Sequence, residues 1–234
     1  MPKRSVARVQ APPPLASAAP LRYSPFMSGT STAQALPFTW DDYRSWGDDQ
    51  RWEILDGDAY AMSPAPTTRH QRVGFELARQ LGNHFRGRPC RALSSPIDVK
   101  LSDVDVVQPD IVVVCRPEQI KRTHVEGAPT LVVEILSPST AQRDRGVKMD
   151  AYAEAGVREV WLVTPWPPCV EVFVLDGPTY RRHAAFIEKQ TLTSPTFPEL
   201  AVDLAPAFDF PLEPGEEPPV VREPPGHYRV ATAQ

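Results

Sequence analysis

Gln108-Pro-Asp-Ile-Val-Val-Val-Cys115 and Leu131-Val-Val-Glu-Ile-Leu136 are the two stretches on which the fold turns. Ile111 to Cys115 is continuously apolar and mostly β-branched, as expected of a central strand covered on both faces. Pro109 suits the entry to such a strand, because it offers no ladder donor. The strand candidate extends from Val106 to Cys115. The second stretch repeats the pattern but carries Glu134 in its middle. An ionised carboxylate in a buried strand costs on the order of several kcal/mol unless it is paired or metal-bound. The bland alternative is an edge strand from which Glu134 reaches water. With side chains alternating along a strand, Asp110 shares a face with Val112 and Val114, and Glu134 with Val132 and Leu136. If the two strands are neighbours, the carboxylates converge.

Working outward, a helix is expected from about Ala141 to Ala155, stopped by Gly156. Val147, Ala151, Tyr152 and Ala155 form its sheet-facing stripe, and Lys148 falls inside that stripe with Asp144 one turn earlier. Arg143, Asp150 and Glu154 fall on the solvated side. An inward lysine is explained by a nearby carboxylate, metal or phosphate cluster, or by a snorkelling stem over the helix end. Upstream, Thr39-Trp-Asp-Asp42 reads as a capped helix start closed near Gly47. Arg51 to Met62 reads as a hairpin turning at Asp56-Gly57. Thr68 to Phe85 is a helix with Val73, Leu77, Leu81 and Phe85 on one stripe, which His70 shares. Ile97–Lys100, Arg158–Thr164 and a late hairpin (Val170–Leu175, Thr179–Ala185) complete the strands. The fold class is α/β (α+β): a mixed central sheet flanked by helices.

The folded unit is expected over residues 36–212 of the 234. Residues 1–35 are rich in Pro, Ala and Ser, and residues 213–234 in Pro and Glu. Neither composition buries enough apolar surface to offset the entropy of ordering it, so both read as disordered tails. The net charge of −4 does not advertise a nucleic-acid binder, so any such groove must be locally basic. Cys90, Cys115 and Cys169 show neither a disulfide framework nor zinc spacing, and Cys115 reads as a small buried hydrophobe. A reducing, cytoplasmic location is the default. No apolar run approaches the length of a membrane span, so no membrane partner is expected.

Two strand acids and a helix lysine make chemical sense together. Magnesium takes oxygen ligands, keeps several waters, and is often held by one or two carboxylates plus substrate phosphate. A lysine ammonium offsets charge that develops on phosphorus. Gly-x-Ser-x-Gly, Walker, dinucleotide and His-Glu-x-x-His signatures are missing from the sequence.

The ordered set Gln108-Pro-Asp-Ile-Val-Val, Val133-Glu-Ile-Leu-Ser-Pro-Ser-Thr140, Asp144, Lys148, Tyr152 and Gly156-Val-Arg-Glu-Val-Trp-Leu-Val163 resembles the Uma-two family. Those are restriction-endonuclease domains of the PD-(D/E)XK nuclease superfamily. Glu53-Ile-Leu-Asp-Gly57, Ser63-Pro64 and His70 resemble the entry motif of that family, and the resemblance spans about Pro37 to Phe210. It implies a restriction-endonuclease-like fold and cleavage of DNA with magnesium or manganese. Asp110 and Glu134 become metal ligands, helped by the main-chain carbonyl of Ile135. Lys148 takes the place of the superfamily lysine, which usually lies two residues after the Glu, where this chain has Leu136. Glu53 becomes an extra acid and His70 a helper near metal or phosphate; a satisfied helix-face histidine is the bland alternative. Thr164-Pro165 stands where the family often has an acid before Pro. Arg143 and Arg145, with Lys121 and Arg122, are candidates to contact DNA phosphates, and Arg79, Arg86, Arg88 and Arg91 form a second patch. Short basic clusters are more usually solvated surface. A homodimer is implied by resemblance only. Two rivals remain: a catalytically weak or silent nucleic-acid-binding module, and an interaction domain whose acids are merely solvated at strand ends.

Overall fold

Two main sheets, rather than one, organise the chain. The computed structural model describes residues 36–47, 51–62 and 65–211. The expected tails, Leu212 and the Ser63-Pro64 pair lie outside the described residues. The elements begin with α1 (Trp40–Ser45), β1 (Trp52–Leu55), β2 (Asp58–Ala61) and α2 (Thr68–His84). Four strands follow: β3 (Arg91–Ser94), β4 (Asp98–Lys100), β5 (Val106–Val107) and β6 (Ile111–Val114). After a short 3-10 turn come β7 (His124–Glu126), β8 (Leu131–Ile135), α3 (Ala141–Arg145) and α4 (Val147–Ala155). The remainder is β9 (Glu159–Thr164), β10 (Cys169–Asp176), β11 (Thr179–Phe186), β12 (Thr191–Thr193), β13 (Ala201–Asp203) and α5 (Ala205–Phe208).

The larger sheet runs β11-β10-β9-β8-β6-β3, and the second runs β2-β1-β5-β4-β7. In the larger sheet only the β8–β9 pair is parallel, with α3 and α4 in the connection between the two strands. Side-chain alternation sorts its residues onto two faces. Ile111, Val113, Val133 and Ile135 pack against Val73, Leu77 and Leu81 of α2 and Phe208 of α5. Val112, Val132, Leu136 and Leu162 pack against Ala151 and Tyr152 of α4 and against Leu55, Val99 and Val107 of the second sheet. The expected α2 stripe is fully buried, and each such Val or Leu contributes about 1.5–3 kcal/mol.

The Val106–Cys115 strand is corrected to two. Val106 pairs with Ile54 and Val107 with Val99 in the second sheet, whereas β6 pairs with β3 and β8 in the larger one. Pro109 has no N–H for a ladder bond, so the chain changes sheets at Gln108-Pro109-Asp110. The expected helix from Ala141 to Ala155 is likewise broken, at Gly146 (φ −114°, ψ −110°). A Cβ there would stand 3.0 Å from the carbonyl oxygen of Gln142. Gly156, at φ 86°, caps α4 in the left-handed conformation as expected. The Asp56-Gly57 turn is left-handed at both residues (φ 50° and 76°), as a two-residue hairpin requires.

The cysteine reading is corrected as well. The β3–β6 register pairs Arg91 with Val114, which sets Cys90 beside Cys115, and the two are joined by a disulfide. Spacing alone hid the pair because β3 was not foreseen. Nor were β7, β12, β13 and α5, all four residues or shorter and too brief to display a period.

Candidate active site

β6 and β8 run antiparallel with Ile111 opposite Val133 and Val112 opposite Val132. Continuing that register sets Asp110 opposite Glu134 at the point where the chain crosses between sheets. Asp110 Oδ2 accepts the main-chain N–H of Ile135 at 2.8 Å. β8 lies between β6 and β9, so Glu134 is on an inner strand and buried, and the edge-strand alternative does not hold. Its Oε1 accepts the hydroxyl of Tyr152 and faces Lys148 Nζ at 2.7 Å.

Lys148 is only 3% exposed. Besides Glu134, its ammonium lies 2.9 Å from Glu53 Oε1 and 3.4 Å from Asp144 Oδ1. Glu53 comes from β1 of the second sheet, where Oε1 also accepts the amide of Gln108 at 3.0 Å. Asp144, Lys148 and Tyr152 recur every fourth residue and point into the same space in spite of the break at Gly146. Arg143 is corrected from the solvated side: its guanidinium reaches Glu53 Oε2 at 3.4 Å and lies over the Tyr60 ring at 5.2 Å. The Gly146 break swings α3 out of the register a continuous helix would have given it.

The charges do not balance. Glu53, Glu134 and Asp144 are buried around one buried lysine, with Asp110 at the margin and Arg143 as a partial second cation. Burial raises the carboxyl of Glu134, and Asp144, Asp110 and Glu53 add to the rise against the opposing effect of Lys148, leaving it at about 8. Burial also raises Asp144, partly offset by Lys148 and Thr140. At Glu53 burial works upward too, but Lys148, the Gln108 amide and Arg143 outweigh it and hold the group below its ordinary value. Lys148 itself is opposed by burial, yet Glu134 and Glu53 keep it firmly protonated.

His70, on the first turn of α2, has Nε2 3.5 Å from Asp110 Oδ2. Burial lowers its pKa, but Asp110 and the main chain of Ile135 raise it on balance. His70 therefore touches two of the groups singled out as metal ligands. Arg145 instead pairs with Glu171. Lys121 and Arg122 are exposed beside β7, three strands from β1, or about 14 Å across the second sheet. They do not join the cluster. Arg79 is held by Glu76, Arg86 by Asn83, Arg88 by Glu199, and Arg91 by main-chain carbonyls.

The donors suit a hard divalent cation. Glu134 uses Oε1 for its protein partners, which leaves Oε2, and Asp110 retains Oδ1. Among the described residues no three His, Cys, Asp or Glu side chains gather into a self-sufficient metal cage. Two carboxylates and a carbonyl are a set that magnesium or manganese completes with water and phosphate. The surplus negative charge points the same way.

The sequence motif assigns Tyr152 and Asp144 no role in the chemistry; their four-residue spacing through Lys148 is the signal that supplies one. Among the described residues no helix is long and apolar enough to cross a membrane.

Comparison with known proteins adds a family. A protein from Synechocystis sp., named "Uncharacterized protein slr1290", is 32% identical over 126 residues, which cover 53% of this chain. The chain spans 66% of that protein's length. A crystal structure described as a "putative nuclease belonging to DUF820" from Anabaena variabilis shares the fold, with a TM-score of 0.61. It is 21% identical, and the match covers 74% of this chain and 98% of that one. The family model Uma2, described as "Putative restriction endonuclease", matches residues 40–205. That match takes in Glu53, His70, Asp110, Glu134 and Lys148, and the chain belongs to the Uma2 family.

Proposed function

We propose that the chain is a divalent-metal-dependent endonuclease that hydrolyses phosphodiester bonds of DNA in the cytoplasm. The observation that carries this reading is the apposition of Asp110 and Glu134 across β6 and β8, with buried Lys148 on Glu134. Asp110, Glu134 and the Ile135 carbonyl would hold magnesium or manganese. Bound there, the cation would supply Lewis-acid polarisation of a phosphoryl oxygen and a water of lowered pKa.

The other roles belong to the chain's own groups. Lys148 remains protonated and places positive charge beside the reacting phosphate. Glu53 anchors Lys148 from the second sheet, and Tyr152 fixes the rotamer of Glu134. His70 lies at the margin of the site beside Asp110, which raises its pKa, and its protonated form can donate to a phosphate oxygen. Arg143, with Lys121 and Arg122 farther off, would contact backbone phosphates, and a homodimer would present two such sites.

One observation favours a second reading, a nucleic-acid-binding module that does not cut. Lys148 has three carboxylates within 3.4 Å, as many as its N–H donors, so it must release one to orient a water. Incubating the protein with supercoiled plasmid separates the two readings. Nicking in magnesium or manganese, abolished by EDTA and by Asp110→Ala or Glu134→Ala, supports the enzyme. DNA retention without nicking supports the silent module. Nicking that persists in both variants would assign the activity to another site.

A further inference from the structure

A cavity of about 280 Å³ lies between α4 and the β10–β11 hairpin, outside the acid cluster. Met149 and Ala153 line it, each one residue after Lys148 and Tyr152 and so about 100° round α4 from the stripe that faces Glu134. Leu162, Phe173 and Tyr180 line it from the sheet side. The Tyr180 hydroxyl is committed to the Val157 carbonyl at 2.6 Å, so the ring has its faces rather than its hydroxyl to offer.

The rim carries opposite charges. Arg145 is tied to Glu171 through one terminal nitrogen at 2.5 Å, with its side chain 42% exposed and its other N–H donors still available. Asp150 is exposed and has no side-chain partner among the described residues. The volume falls just under the range of about 300–1,000 Å³ usual for small-molecule sites, which suits one flat ring system.

We infer that this cavity accepts a single guanine of the nucleic-acid substrate, turned out of its strand. The inference rests on the nuclease reading for the source of the base. Phe173, Tyr180 and Met149 offer aromatic and thioether surface on which a base stacks, as in sites that receive extruded nucleotides. Guanine offers O6 and N7 as acceptors to a guanidinium, and N1–H and N2–H₂ as donors to a carboxylate. Arg145 and Asp150, both lining the cavity, supply that pair of complements. Adenine turns a donor, its N6 amino group, toward the arginine and has no N1–H for the aspartate, so it is rejected on both counts. The cavity thus confers a base preference, which the acid cluster alone cannot.

Metal-free full-length protein labelled at the methionine methyl groups tests this by NMR titration with 5′-GMP, 5′-AMP, 5′-CMP and 5′-UMP. The Met149 methyl signal is expected to shift with GMP at an affinity at least tenfold above that for AMP. Asp150→Asn should remove the preference, and Ala153→Leu should fill the cavity and remove the response. No shift with GMP, equal responses to all four nucleotides, or an undiminished response in Ala153→Leu would overturn the inference. Plasmid nicking by the same preparation, after magnesium or manganese is added, keeps the ideas apart. Nicking without GMP binding removes the guanine site alone, whereas selective GMP binding without nicking removes the enzyme reading alone.

Discussion

Lys148 and Glu134 form an ion pair at 2.7 Å in which neither side chain is more than 5% exposed. Glu53 shares the same ammonium from the opposite sheet, so one cation holds both sheets against α4. Removing one partner of a buried pair leaves uncompensated charge and costs about 3–5 kcal/mol. Lys148→Ala should therefore unfold at a markedly lower temperature than wild type at pH 8. The deficit should shrink at pH 5, where the stranded acids take up protons. Thermal melts at the two pH values check this; an equal deficit at both would show that packing, not charge, sets the cost.

Glu134 titrates near 8 in the folded chain against an ordinary value of 4.5. Between those values the folded state binds a proton that the unfolded state lacks, so stability falls as pH rises through that window. Below the window both states are protonated, and above it the full penalty is present. Glu134→Gln should flatten this slope and melt higher than wild type at pH 9 in metal-free buffer. Chemical denaturation at half-unit pH intervals measures it, and parallel profiles for the two proteins would contradict the burial of an ionisable acid at this position.

Tyr152 donates its hydroxyl to the carboxylate oxygen of Glu134 that Lys148 also faces, which leaves the other oxygen to a cation. Outer-shell groups of this kind are worth about 10–100-fold in metal affinity. Tyr152→Phe should weaken manganese binding within that range while its far-ultraviolet spectrum stays that of wild type. Unchanged affinity would mean that Lys148 alone orients the carboxylate.

The Cys90–Cys115 disulfide closes a segment of 25 residues between β3 and β6. Constraining the unfolded chain over such a loop stabilises by about 2–4 kcal/mol. Dithiothreitol should lower the midpoint of wild-type unfolding and leave a Cys90→Ser, Cys115→Ser double variant unmoved.

Much of the site was legible because burying a charge leaves a visible mark in a sequence. Glu134 stands out inside Leu131–Leu136, and strand parity lets it converge with Asp110 once β6 and β8 are neighbours, as their register shows. Lys148 stood out for the same reason, as a cation inside an apolar helical stripe. What was not legible depends on contacts between segments far apart in the chain. Val106–Cys115 reads as one strand, and only the pairing of Val106 with Ile54 reveals that its two halves serve different sheets. Arg143 reads as solvated on an unbroken helix, and the Gly146 break redirects it to Glu53. The Cys90–Cys115 bond required β3, a strand of four residues with too little pattern to recognise.

The central claim is that Asp110 and Glu134 cage a hard cation together. Calorimetric titration of manganese into the wild type and into Asp110→Ala measures it without reference to cleavage. One site per chain in the wild type, lost in Asp110→Ala, is the predicted result. A wild type that takes up no manganese, or an Asp110→Ala variant that binds it unchanged, would contradict the account.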